Sequence, residues 1–144
     1  MFDSFNISGS GMTANRLWLD TISNNIANMN TSGRPGDEGA VPYRRQIPVF
    51  AQLLQRNLNT NPGSGQKQQG VTVTQIIEDQ SEPRLVYNPS HPHADESGYV
   101  AFPNINITNE MANMMAATRA YEANATSLQA AKDIANAALQ IGRG

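Results

Sequence analysis

Large apolar side chains return every seven positions near the start of the chain, at Phe5, Met12, Leu19 and Ile26, and Ile22 and Met29 complete the later pairs. That 3.5-residue period predicts a helix over residues 3–30 with a coiled-coil seam on one face. The seam is interrupted. Ser8 and Asn15 occupy two of its positions, and Gly9 and Gly11 each weaken the helix by about 1 kcal/mol relative to Ala. Leu17 and Trp18 lie off the seam and make a second apolar patch, so this helix requires more than one neighbour.

From Thr31 the pattern changes to TSGRPGDEGAVP, whose glycines and prolines end the helix. YRRQIPVFAQLL (43–54) is extended at its start, and its second half fits a strand or a helical turn. A polar connector, NLNTNPGSGQKQQG (57–70), follows. VTVTQIIED (71–79) and RLVYN (84–88) alternate apolar with polar or β-branched residues on either side of Pro83, which predicts a hairpin, and YVAF (99–102) predicts another short strand.

After Pro103 the period lengthens again. Thr108 or Asn109 is placed to cap a helix that has Glu110 in its first turn and ends near Gly142 and Gly144. One stripe runs Met111, Met114, Thr118, Tyr121, Ala125, Leu128 and breaks at Lys132. A second, through Ser127, Ala131, Ile134, Ala138 and Ile141, takes over. Eleven alanines among residues 110–144 allow close approach on several sides. The fold class that follows is mainly α with a small β-rich insert: residues 1–33 and 104–144 form one helical domain, and residues 34–103 form the insert and its linkers. Phe5, Met12, Leu19, Ile22, Ile26 and Met29 are the seam candidates of the first helix, and Met111, Met114, Tyr121 and Leu128 those of the last. Two such helices cannot bury all these stripes between them. Either they fold back on the insert, or they order fully when several subunits pack together.

Charged residues are 15% of the chain and the formal net charge is −2, so there is no basic field for a phosphate backbone. Nucleic acid is not expected as a partner. No stretch has the apolar length of a membrane span, and neither a cleaved secretory signal nor an anchor is expected at the N-terminus. Without cysteine the chain can make no disulfide, thiolate metal site or cysteine nucleophile.

HPHADE (91–96) holds two imidazoles and two carboxylates, and His91, His93 and Asp95 could belong to a small metal-dependent enzyme. Zinc sites built on helices place histidines at i, i+4, whereas His91 and His93 flank Pro92 in a loop, so a turn leading into the next strand is the stronger reading. GSGM (9–12) and NPGSGQK (61–67) lack the spacing and context of a phosphate loop. No cofactor and no catalytic residues are expected.

SNNIANMNTSG (23–33) resembles the N-terminal signature of the axial proteins of the bacterial flagellum, the rod, hook and hook-associated proteins, and NEMANMMAATRAYEANATSLQAAKDIANAALQIGRG (109–144) resembles their C-terminal signature. HPHADESGYVAFPNINITNEM (91–111) is similar to the lead into the last helix of a proximal rod member. The resemblance implies a non-enzymatic rod subunit whose long terminal helices pair as a coiled coil, the seam of the first facing that of the last, and pack with copies of itself and neighbouring rod proteins into an inner helical tube, with the insert outside. Another rod or hook-type subunit is the alternative within the family. It further implies export through the flagellar type III apparatus without a cleaved signal, a place in the basal body across the periplasm, and a role in transmitting torque. Asn24, Asn25, Asn28, Asn30, Arg119 and Glu122 fall in the shared motifs, the asparagines as hydrogen-bonding groups at an interface or helix end and the charged pair as a bridge between subunits. Ile134 and Ile141 join the assembly residues. Phe50 and Leu54, in FAQLL, resemble the gate-recognition motif of early export substrates.

Overall fold

The computed structural model describes residues 2–37, 39–53 and 70–142. Helix α1 (Phe2–Ala27) and helix α2 (Ile107–Ile141) lie antiparallel, and between them in sequence come β1 (Gln46–Gln52), β2 (Val71–Glu78), β3 (Arg84–Tyr87) and β4 (Tyr99–Phe102). The mainly helical frame with a small β insert is as expected.

The strand pairing differs from the expected hairpin. β2 does not turn back onto β3. It pairs antiparallel with β1, from Gln46 opposite Glu78 to Gln52 opposite Val71, with a bulge between Val49 and Phe50, while β3 pairs with β4 from Arg84 opposite Phe102 to Tyr87 opposite Tyr99. The second half of 43–54 is therefore strand through Gln52 and not a helical turn. At the point where a hairpin would close, Asp79 Oδ1 accepts from both the backbone N–H and the hydroxyl of Ser81, and the Asp79 N–H donates to the Arg45 carbonyl at 2.8 Å. The chain is thus still bonded to the β1 side at Asp79 and Gln80, where a hairpin onto β3 would begin to turn. Among the described elements the β1–β2 ribbon packs on α1 and not on α2. Trp18 meets Phe50 edge to face at 5.7 Å, so the off-seam patch of α1 is where the ribbon docks.

β4 is held on both edges. Beyond β3, its Ala101 exchanges two backbone hydrogen bonds with Gly33, 2.8 and 2.9 Å long. Glycine is required at residue 33 by the loop that follows it, because a Cβ there would run into the Ala40 carbonyl and the Pro42 ring. Val100 and Ala101 are buried at this crossing of the post-helix turn and the strand.

The cap of α2 is Asn106, not Thr108 or Asn109. Its side-chain oxygen accepts from the backbone N–H groups of Thr108 and Asn109, and its β-region backbone (φ −97°, ψ 111°) is that of an N-cap. The helix consequently starts earlier and includes Ile107. At its far end the Gly142 N–H closes on the Ala138 carbonyl.

Candidate assembly surface and its buried junction

The α1–α2 seam is centred on small side chains. Ser8, Gly11, Ala14 and Ala117 are buried together with Ile22, and Gly11 lies directly against Asn124. Close approach of the two backbones pushes bulkier residues toward the flanks. Phe5, Met12, Leu19, Ile26, Met29, Met114 and Leu128 are half-buried. Met111 and Tyr121 differ from the expected pairing: they are 55% and 38% exposed, because the side of α2 that faces α1 runs through Glu110, Ala117 and Asn124 rather than through the largest apolar residues. Met111 instead shares a flank with Ile107 and Met115 at four-residue steps, all three exposed. Ile134 and Ile141, 62% and 82% exposed, and Leu139 between them leave the last turns of α2 with apolar surface in water.

A polar junction closes the seam at its insert end. Asn25 is 1% exposed and every polar group of its amide is engaged. Its Nδ2 donates to the Gln46 carbonyl at 2.9 Å and to Glu110 Oε2 at 3.2 Å, while its Oδ1 accepts from Gln46 N–H at 2.8 Å and from the Tyr43 hydroxyl at 3.0 Å. Glu110, also 1% exposed, receives Arg45 Nε on its other oxygen at 2.7 Å. Arg45 reaches further to Asp79 at 4.0 Å. The end of α1, the start of α2 and the first strand of the insert are thereby joined through side chains. Among the described residues no buried side-chain polar atom is left without a partner. Two ionisable groups register this environment: burial, then the Glu110 and Glu78 carboxylates, push the Tyr43 hydroxyl above its usual range, and the Ser81 hydrogen bonds, helped by Arg45, hold Asp79 below the usual carboxylate range.

The remaining motif residues separate by location. Asn28 Nδ2 donates to the Asn24 carbonyl at 2.9 Å inside the last turn of α1; Asn24 and Asn30 are exposed, and so are Arg119 and Glu122 on α2. The HPHADE loop is a docking loop in this structure. His93 Nδ1 lies 3.0 Å from both the hydroxyl and the carbonyl of Ser32, His91 Nδ1 accepts the His93 N–H at 3.1 Å, and Arg34 reaches the Pro92 carbonyl. Asp95 Oδ1 accepts from the N–H groups of Ser97 and Tyr99, shaping the turn into β4 around Gly98, whose φ of +82° favours glycine. Among the described residues no three His, Cys, Asp or Glu side chains are grouped to hold a metal ion. Phe50 is held in β1 against Trp18. Leu54 falls outside the described residues. No described helix is long and apolar enough to cross a membrane.

Sequence reasoning passed over Tyr43, Arg45 and the burial of Glu110. A buried Glu in a first helical turn reads as an ordinary favourable charge at a helix N-terminus, and nothing local identifies its arginine 65 residues upstream.

Comparison with known proteins finds relatives along the whole chain. Residues 5–33 match the family model described as flagella basal body rod protein, and residues 96–141 match that of the flagellar basal body rod FlgEFG protein C-terminal region. The chain is 42% identical to the flagellar basal-body rod protein FlgC of Borreliella burgdorferi, covering 100% of this chain and 99% of the relative. It is 39% identical to FlgC of Bacillus subtilis and 35% identical to FlgC of Escherichia coli O157:H7, in each case over 99% of this chain and 98% of the relative.

Proposed function

The chain belongs to the FlgC family of flagellar basal-body rod proteins and is a structural subunit of that rod, and on this premise we propose that it builds the rod wall by self-association through α1 and α2. As a rod subunit it assembles with other rod proteins. The helix pairs of several copies form a coiled-coil tube that encloses the export channel, the insert lies outside, and torque passes through many shallow helix contacts that share the load. Phe5, Met12, Leu19, Ile22, Ile26, Met29, Met114 and Leu128 form the pair, and Met111, Tyr121, Ile134 and Ile141 meet neighbours. Arg119 and Glu122, with Asn24 and Asn30, supply polar contacts between subunits.

The observation that supports this most directly is the exposed apolar surface at both ends of α2, at Ile107, Met111 and Met115 and again at Ile134, Leu139 and Ile141. Solvated side chains of this size on a shallow, alanine-rich helix are stabilised by burial against further helices. We also propose that the subunit reaches the periplasm through the flagellar type III apparatus, which reads Phe50 and Leu54 in the unfolded chain, since the folded chain engages Phe50 in β1. The experiment is complementation of a non-motile strain lacking its own copy of the protein. Leu128→Asp places a charge in the half-buried seam and is expected to abolish rod assembly and swimming while the protein is still made. Normal swimming by that variant would sink the helix-packing reading.

A further inference from the structure

We infer that the open edge of β2 in one copy pairs antiparallel with the open edge of β3 in a second copy, joining the two inserts through one continuous sheet. This rests on the proposed self-association of the rod subunit. Each two-stranded sheet has one edge engaged within its own subunit. The outward N–H and C=O of Gln46 on β1 are both taken by the Asn25 amide, and those of Ala101 on β4 by Gly33. Among the described residues no strand closes the other edges, those of β2 and β3. Both carry large side chains in water: Ile76 and Ile77 are 44% and 42% exposed, Leu85 and Tyr87 55% and 65%. An unblocked edge with apolar side chains is a template for a further strand.

Backbone direction restricts the register. The Asp79 N–H donates to the Arg45 carbonyl, so Ile77 and Gln75 also face β1, and Ile76 and Glu78 face outward. On β3 the Asn88 N–H donates to the Gly98 carbonyl, which leaves Leu85 and Tyr87 facing outward. Antiparallel pairing sets outward residues opposite each other. With Glu78 opposite Leu85 of the second copy and Ile76 opposite Tyr87, residues 75–79 match residues 84–88. A shift of two residues in either direction would put Pro83 or Pro89, which have no N–H, at an outward position of the paired stretch. The unshifted register also sets Asp79 against Arg84 and Ile77 against Val86, acid on base and apolar on apolar. The Glu78 carbonyl accepts from the Gln80 amide at 3.2 Å, a contact that the incoming Leu85 N–H replaces. These pairings are those of a β2–β3 hairpin. Within one subunit the bonds of Asp79 to Arg45 and Ser81 keep the hairpin open, so a second copy supplies them, as in a domain swap. The contact joins two different edges, so it propagates from copy to copy.

The chain has no cysteine, so engineered disulfides report the contact without background. Gln75 and Asn88 are exposed, and the inferred register sets them opposite each other at a non-hydrogen-bonded position, with Cα atoms about 4.5 Å apart and within disulfide reach. A strain lacking its own copy of the protein is given full-length Gln75→Cys and Asn88→Cys chains together, and its isolated basal bodies are oxidised. A mixed dimer is expected to form at least tenfold faster than dimers in strains carrying either variant alone. It should also outpace Gln75→Cys with Tyr87→Cys, whose side chains fall on opposite faces of the sheet, by the same factor. Swimming cells whose basal bodies contain both chains but give no mixed dimer would overturn the inference and leave the rod reading intact. Equal dimer yields in the single-variant strains would overturn it in favour of like edges pairing. Absence of the chain from the basal bodies of swimming cells would overturn the rod reading and this inference with it. Ile76→Pro with Leu85→Pro is the second test. Each removes an outward N–H while sparing the β1–β2 and β3–β4 ladders, so the purified chain should melt near the parental temperature while swimming is lost. Normal swimming by that double variant counts against the inference. So does a melting temperature lowered as far as by Val86→Pro, which breaks the β3–β4 ladder, because the edge would then already be in use inside the subunit.

Discussion

Gly11 of α1 stands so close to Asn124 of α2 that a Cβ added to it would lie 2.9 Å from Asn124 Oδ1. Asn124 is not free to swing away without loss, because its Nδ2 donates to the Ala120 carbonyl at 2.8 Å. Two tendencies oppose each other at this position: glycine weakens a helix interior by about 1 kcal/mol relative to Ala, yet any larger residue makes the Asn124 side chain give way and strain its hydrogen bond to Ala120.

Gly11→Leu is therefore expected to destabilise the chain by about 1–3 kcal/mol through overpacking, despite its better helix propensity. Urea denaturation checks this. Asn124→Ala in the same chain should restore most of the loss, and the absence of any rescue would show that the two residues do not limit each other.

Glu110→Ala should be more severe than most single changes in the protein. It removes the partner of Arg45 and one acceptor of Asn25 from a site that is 1% exposed. Breaking a buried ion pair from one side costs about 3–5 kcal/mol, and the lower end applies here because Arg45 retains some contact with water and with Asp79. Thermal unfolding measures it. A melting temperature within 2 °C of the parent, on a scale where about 1 kcal/mol moves a domain of this size several degrees, would refute the assignment of Glu110 as the junction's central acceptor.

Much of this architecture was legible in the chain. The seven-residue spacing from Phe5 to Ile26 marks α1, and the apolar period after Pro103 marks α2 to within one turn. The strands were recognisable too, but their partners were not. Val71 and Val73 alternate as a strand should, yet alternation does not say whether the mate is five or twenty residues away, and here β1 lies across the long connector. Two residues of the expected seam lie outside it for a related reason. Heptad reading follows the largest apolar residues, so it selected Met111 and Tyr121, whereas the backbones approach where side chains are smallest, at Gly11 and Ala117. Glu110 shows the clearest limit: its burial depends on Arg45 and Asn25, which three-dimensional structure alone brings beside it.

The pH response follows from Asp79 and Tyr43. The folded-state pKa of Asp79 lies below its ordinary 3.8, first because of its hydrogen bonds from Ser81 and lastly because of Arg45. It thus contributes stability that is present above about pH 3.8 and is lost as pH falls through the lower folded value. Tyr43 has the opposite limb: its pKa is raised above 10.0, so its contribution is complete below pH 10 and disappears as pH climbs through the folded value. Ser81→Ala should shift the acid unfolding midpoint upward, and Tyr43→Phe should flatten the alkaline limb. An unchanged acid midpoint in Ser81→Ala would mean that the backbone N–H of Ser81 is sufficient by itself.

Phe50 separates folding from export. Its ring packs edge to face on Trp18, so Phe50→Ala removes both a folded contact and the first residue of the proposed export motif. Phe50→Leu retains apolar bulk. If the export apparatus reads the aromatic ring, secretion into the medium of a strain that cannot complete its rod should fall in both variants. If the ring acts only in the fold, secretion should persist and only the purified Phe50→Ala protein should melt early, by about 1–2 kcal/mol for a half-exposed aromatic.

The end of α2 offers the sharpest test of assembly because it is exposed within the subunit. Ile134→Asp and Ile141→Asp alter residues that are 62% and 82% exposed, so the stability of the lone chain should change by less than about 0.5 kcal/mol. If neighbouring subunits cover these side chains, each aspartate is placed against apolar helix surface in the rod and is opposed by its desolvation. Swimming should then be lost in soft agar, while secretion of the variant and its melting temperature stay at parental values. That combination distinguishes an interface from a core, since a core substitution would lower the melting temperature first. Undiminished swimming by the Ile134→Asp, Ile141→Asp double variant would show that this surface stays in water in the assembled rod and would confine the subunit contacts to the Ile107–Met111–Met115 flank.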